Sequence, residues 1–279
     1  MDQEQTQKKI NVLFIADIIG KPGLTIVKHV VKQLREQYQI HFCIANGENG
    51  SAGKGLTENI AQQYFNHGID IITSGNHIFE KYGVHKLLNT NHKIIRPLNY
   101  PFGVSGKGSL VATISNNIKI GVINIQGRTF MFPIDCPFRT ANEEINKIRQ
   151  LTPIIIVDFH AEATAEKMAM GWYLNGKVSA VIGTHTHVQT ADERILDRGT
   201  AYITDVGMTG PYNSVIGMKK EVAIKRFIQQ LPERYQPADS DLKFAGVVIT
   251  INTENGKTEK IKRLLFSVEN KGLDWTNER

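Results

Sequence analysis

Five short apolar runs constrain this chain more than anything else in it. They lie at residues 11–16, 42–45, 69–73, 153–157 and 178–182. Each is short enough for a strand and too continuously apolar to be half exposed. Strands buried on both faces read this way, as in a parallel sheet covered by helices. Helical stretches alternate with the first runs. The clearest follows the turn at residues 18–23 and continues to about residue 37, with Ile26, Val30, Val31 and Leu34 on one face. Others are predicted at 58–66 and around 81–88, and a fourth short strand at 93–96 is stopped by Pro97. This strand–helix rhythm predicts an α/β fold with a helix-covered parallel sheet.

The runs also end alike. They lead into Asp17; Glu48 with Asn49; Asn76 with His77; His160; and His185 with His187. The C-terminal ends of parallel strands share one edge, where ligands of open α/β sheets bind. In extended backbone, side chains two apart point the same way, so His185 and His187 are expected to project together. Singly, each residue has a plain structural explanation. Asp17 can cap the following turn, Asn49 and Asn76 can be turn residues, and His160 can be a hydrogen-bonded core histidine. Five strand ends repeating the pattern argue for one shared site. Carboxylate, amide and imidazole donors together suit iron, manganese or zinc. No cysteine joins them, so a structural zinc knot is not expected. About seven ligands exceed what one tetrahedral ion uses. Two ions about 3.5–4 Å apart would use them, and such pairs serve phosphoester hydrolysis. Glu48 is the candidate bridging carboxylate.

The rest of the chain changes style. Residues 109–115 and 119–125 predict a hairpin around Asn116-Asn117, and 246–251 with 260–268 a second around Asn255-Gly256. Thr140-Ala141-Asn142-Glu143 reads as a capping box opening a helix to about residue 150. Further helices are expected after Glu162 through Met170 and at 219–230, with a strand at 200–204. The chain has 279 residues, 41% hydrophobic and 22% charged, a soluble globular composition. Its net charge of +6 reads as a lysine-rich solvated surface. Two cysteines, Cys43 and Cys136, exclude a disulfide framework, and Cys43 is expected in the core. No stretch reaches membrane-spanning length, and the polar first nine residues do not resemble a secretory signal. One domain over 1–279 is expected, cytoplasmic, with loose termini at about 1–10 and 270–279.

The ordered set Asp17, Gly47-Glu48-Asn49, Gly75-Asn76-His77, His160 and Gly183-Thr184-His185-Thr186-His187 resembles the motifs of the calcineurin-like metallophosphoesterases. Two positions depart from the general pattern. Ile19 stands where a histidine is usual, and Glu48 replaces the usual bridging aspartate. Both departures resemble the YmdB-like phosphodiesterase branch. So do Gly127-Arg128-Thr129-Phe130, the stretch from Asp158 to Thr164, and the stretch from Thr204 to Pro211.

The resemblance implies a sandwich of mixed β-sheets flanked by helices, and a metal-dependent phosphodiesterase acting on 2′,3′-cyclic nucleotides. It implies two metal ions, iron or manganese, with hydroxide from metal-activated water as nucleophile. Asp17, Glu48, Asn49 and His187 would hold one ion. Glu48 would bridge to the second, completed by Asn76, His160 and His185. His77 would be the general acid, or else a hydrogen-bond partner to a ligand. Arg128 could grip a phosphate or serve a structural ion pair. The implied partner is a small phosphoester, and a homo-oligomer is expected. A phosphomonoesterase or protein phosphatase with the same site remains open. So does a non-catalytic RNA- or nucleotide-binding protein, although no RNA-recognition motif is evident.

Overall fold

The structure is a computed structural model and describes residues 8–114 and 117–268. Its first half runs β1 (Lys9–Ile15), β2 (Asp17–Ile18), α1 (Gly20–Gln37), β3 (Ile40–Asn46), α2 (Glu58–Asn66), β4 (Ile71–Thr73) and α3 (Val84–Thr90). Then come β5 (Ser109–Thr113), β6 (Lys119–Gln126), α4 (Pro137–Ile148), β7 (Ile155–His160), α5 (Thr164–Leu174) and β8 (Ala180–Thr184). The chain finishes with β9 (Arg194–Ile195), β10 (Ala201–Ile203), β11 (Met208–Pro211), α6 (Lys220–Gln229), β12 (Leu242–Asn252) and β13 (Thr258–Ser267).

These strands form two mixed sheets. One has the order β2-β11-β12-β1-β3-β4, with β13 paired to β12; the other is β5-β6-β7-β8-β10-β9. In each, the strands that lead to the candidate metal-binding residues are parallel: β1, β3 and β4 in the first, β7 and β8 in the second. Alternation explains why these strands read as unbroken apolar runs. Val12 and Phe14 of β1 and Phe42 and Ile44 of β3 meet Val122, Ile156, Ile182 and Ile203 of the facing sheet. Leu13, Ile15 and Cys43 turn the other way, onto Ile26, Val30, Val31 and Leu34 of α1. On the far side, Ile123, Val157 and Phe159 pack under Ile145 and Ile148 of α4 and Met170 and Leu174 of α5. The result is helix, sheet, sheet, helix, the sandwich that the resemblance implied.

Several expectations need correction. The expected loose N-terminus extends to residue 10, but Lys9 and Ile10 already pair with Asn252 and Ile251 in β1. Thr140 does not open its helix. α4 begins at Pro137 with Cys136 as its cap, because a proline in the first turn has the right φ and no N–H to leave unpaired. Residues 93–96 make only isolated bridges, Ile72 to Ile94 and Ile95 to Lys107. Pro97 supplies no donor, and the Arg96 side chain folds back to donate to the Pro97, Leu98 and Val104 carbonyls. The first hairpin pairs Thr113 with Lys119; Asn116 of its turn and the expected tail at 270–279 lie outside the described residues. Both cysteines are free, and Cys43 is fully buried. Among the described residues no helix is long and apolar enough to cross a membrane.

A candidate metal centre at the facing strand ends

The site residues come from two sheets rather than one edge. β1 stops at Ile15, and Asp17 begins the short β2 that swings toward β11. After β3, Gly47 approaches β4 so closely that a Cβ there would lie 2.7 Å from Ile72. That close approach turns Glu48 and Asn49 over the end of the sheet. After β4, a Cβ on Gly75 would sit 2.2 Å from the His160 ring, so only glycine brings Asn76 up to the facing sheet. His160 ends β7, and the chain leaves β8 at Thr184.

Here one expectation fails. His185 and His187 are not in extended backbone; their φ values are +101° and +63°. They separate and serve different clusters. In the first, the Asn49 amide Nδ2 is 3.2 Å from Asp17 Oδ1, 3.4 Å from Glu48 Oε1 and 3.3 Å from His187 Nε2. In the second, His160 Nε2 has Glu48 Oε1, Asn76 Oδ1 and His185 Nδ1 each at 3.0 Å. Glu48 belongs to both. The seven expected ligands are thus together, with Asp17, Glu48, Asn49 and His160 buried.

The donor set fits cations. One ring nitrogen carries at most one proton, so His160 Nε2 can satisfy only one of the three acceptors around it. Ligand atoms about 3 Å apart are what an ion at about 2.1 Å from each requires. Asn49 would present its carbonyl oxygen after a half-turn of its amide, since a neutral amide nitrogen does not bind cations. Without cations the charges settle differently. Burial would raise the Glu48 carboxyl, but the His160 imidazole holds it down at about 2. Burial would lower His160, but the same Glu48 contact raises it to about 9. Burial and the neighbouring His160 push His185 down to about 2. Burial raises Asp17.

A second ring of groups orients the ligands. His160 Nδ1 lies 2.9 Å from Thr184 Oγ1, which donates to Asp158 Oδ1 at 2.7 Å. His187 Nδ1 donates to the Ile216 carbonyl at 2.9 Å. Thr186, between the two histidines, donates through N and Oγ1 to Asp205 at 3.0 and 2.7 Å. Asp205 is in turn paired with the buried Lys167 at 2.5 Å. Glu162 Oε2 lies 3.0 Å from His185 Nε2. Sequence reasoning assigned none of these roles. Asp158, Glu162 and Asp205 were visible only as members of motifs, and Lys167 and Ile216 carried no signal.

His77 stands beside the centre, outside both clusters. Its backbone N–H donates to Glu48 Oε2 at 2.9 Å, and its ring nitrogens lie near Glu80 and Asn76. Burial lowers its pKa. A cleft of about 770 Å³ opens over Glu48, Asn49, His77, His185 and His187. Arg128 does not line it. Its backbone N–H is held by Glu166, and its side chain is exposed.

A model of the YmdB-like protein family matches residues 13–264. The 2′,3′-cyclic-nucleotide 2′-phosphodiesterase of Bacillus subtilis is 49% identical over 258 residues, 92% of this chain and 97% of that protein. The crystal structure of a novel phosphatase from Mycoplasma pneumoniae superposes with a TM-score of 0.87 at 36% identity, covering 93% of this chain and 94% of that one. A hypothetical protein from Thermus thermophilus superposes equally well, at 0.87 and 37% identity, over 92% and 99% of the two chains. The match spans both halves of the candidate centre, and the chain belongs to the YmdB-like protein family.

Proposed function

We propose that the protein is a metal-dependent phosphodiesterase that opens 2′,3′-cyclic nucleotides. The observation that carries this reading is the sharing of Glu48 between two clusters of oxygen and nitrogen donors. Asp17, Glu48, Asn49 and His187 would hold one ion, and Glu48, Asn76, His160 and His185 the other. Iron or manganese suits such donors. When bound, the ions would acidify water and neutralise charge growing on the phosphoryl oxygens. The chain supplies the remaining chemistry. His77 gives a proton to the departing ribose oxygen. Its lowered pKa makes it a readier donor, and its backbone contact to Glu48 fixes it against the centre. The Bacillus relative is named for cleavage of the 2′ bond, so a nucleoside 3′-phosphate is the product assigned here.

The test is turnover of adenosine 2′,3′-cyclic phosphate by manganese-loaded protein, beside a His187→Ala variant and a panel of phosphomonoesters. Turnover that disappears in the variant supports the assignment. Folded, metal-loaded protein that leaves cyclic nucleotides intact while cleaving phosphomonoesters overturns it in favour of a phosphatase.

A further inference from the structure

The metal centre forms only the floor of the cleft. The opposite wall is apolar, built from Ile216, Phe227 and Leu231 on α6 and its flanking turns. These side chains are 51%, 70% and 59% exposed. Ile216 is held with φ of +47°, an uncommon conformation for a β-branched residue. Its carbonyl is the acceptor for His187, so the wall is tied to the floor. Among the described residues, Lys54 and Arg226 are the only lysine or arginine lining the cleft. Neither side chain has an ion-pair or hydrogen-bond partner among those residues. Lys54 lines the cleft together with Glu48, Asn49 and His77 of the floor. Arg226 is on α6, next to Phe227.

A 2′,3′-cyclic nucleotide carries one negative charge, on the phosphate that must reach the floor. Lys54 is placed for that charge. The guanidinium on the apolar wall is left over, and its planar fork suits a second phosphate. We infer that the α6 wall is a second binding surface: Ile216, Phe227 and Leu231 seat the nucleobase, and Arg226 receives a phosphate on the 5′ side of that nucleoside. The preferred substrate is then a 2′,3′-cyclic phosphate that also carries a 5′-phosphate, free or as the preceding phosphodiester of an RNA 3′ end. This rests on the function proposed above and names the substrate class for the same site.

The experiment compares kcat/KM for adenosine 2′,3′-cyclic phosphate, its 5′-phosphorylated form and ApA 2′,3′-cyclic phosphate, using manganese-loaded protein. A charge-assisted contact predicts a gain of about tenfold or more for the two phosphorylated substrates, mostly in KM. Arg226→Ala removes most of that ratio, and Arg226→Lys restores part of it. Phe227→Ala raises KM for all three. A further gain for the dinucleotide over the 5′-phosphorylated mononucleotide identifies an RNA end as the better source. Equal kcat/KM for all three in the wild type overturns the inference and leaves the cyclic-nucleotide reading standing. A preference that survives Arg226→Ala also overturns it. Failure to turn over any of the three removes the parent reading as well.

Discussion

The buried pair Lys167–Asp205 offers the sharpest test of how the centre is held. Lys167 is 1% exposed and Asp205 fully buried. Asp205 Oδ2 accepts from Lys167 Nζ at 2.5 Å and from Thr186 N and Oγ1 at 3.0 and 2.7 Å. Its Oδ1 accepts from Gly207 N at 2.8 Å. Asp205→Leu strips the ammonium of the only ion-pair partner it has among the described residues. Breaking a buried pair from one side costs about 3–5 kcal/mol, which a lowered urea midpoint would report. The same change frees Thr186. The left-handed φ angles at His185 and His187 each store on the order of 1–3 kcal/mol, and they persist only while the residue between them is gripped. Metal affinity is therefore expected to fall by about 10–100-fold, the usual loss when a ligand's supporting partner is removed. The double variant Lys167→Met with Asp205→Leu separates the two effects. It no longer buries a lone charge and recovers most of the stability. It does not recover metal affinity, because Thr186 still has no carboxylate. Metal affinity within twofold of wild type in Asp205→Leu would refute the positioning argument. An unchanged urea midpoint would refute the energetic one.

Four further outcomes are expected. In the metal-free protein Glu48 keeps His160 protonated up to about pH 9, so metal binding must release that proton. Calorimetry at pH 7.5 in two buffers of different ionisation enthalpy should count about one proton lost from this site, vanishing above pH 9. The linked stability has the sign of a raised pKa. It is fully present below the ordinary histidine value of 6.5 and is lost as pH rises through about 9, readable as a falling urea midpoint of chelator-treated protein. His77→Ala should lose roughly 10²–10⁴ in rate on a cyclic nucleotide. It should lose far less on bis(p-nitrophenyl) phosphate, whose leaving group needs no proton; equal losses would remove His77 as the acid. Gly75→Ala drives a methyl group to within 2.2 Å of the His160 ring. Metal content should fall in a protein whose circular dichroism is unchanged, and full metal loading would count against the close packing described here.

The strands leading to the centre were legible because burial on both faces leaves an unbroken apolar run. β11 was not. Its sequence, Met-Thr-Gly-Pro, reads as a turn, and it is a strand only because Met208 pairs with Asp17 and Gly210 with Lys243. Those are long-range pairings that no local pattern announces. The candidate ligands were legible as chemistry at strand ends; the separation of His185 from His187 followed from the family resemblance but not from their spacing. Their spacing suits an extended strand, and only the positive φ angles send them to different clusters. α6 was recognisable as a helix but its role was not. Periodicity marks apolar residues as candidates for burial, whereas Phe227 and Ile228 are 70% and 76% exposed. The wall exists because of where the helix is carried, not because of its own pattern.

Ile19 sits at the position where the resembled motif departs most from this chain. The motif pattern that the sequence resembles has a histidine there, while here the side chain is fully buried and apolar. It packs beneath two glycines. A Cβ on Gly210 would lie 3.0 Å from Ile19 Cβ, and one on Gly217 would lie 3.0 Å from Ile19 Cγ2. Gly217 closes the turn that holds Ile216, and the Ile216 carbonyl accepts from His187 Nδ1. That hydrogen bond selects the tautomer of His187 that leaves Nε2 free to face Asp17 and Asn49. Residue 19 therefore supports the turn that orients His187. In the proposed centre Asn49 would take the donor place left open; its amide nitrogen lies within 3.4 Å of Asp17 Oδ1, Glu48 Oε1 and His187 Nε2. Ile19→His is expected not to add a ligand, because a polar ring there would be buried against Gly210 and Gly217 and would lift the turn that orients His187.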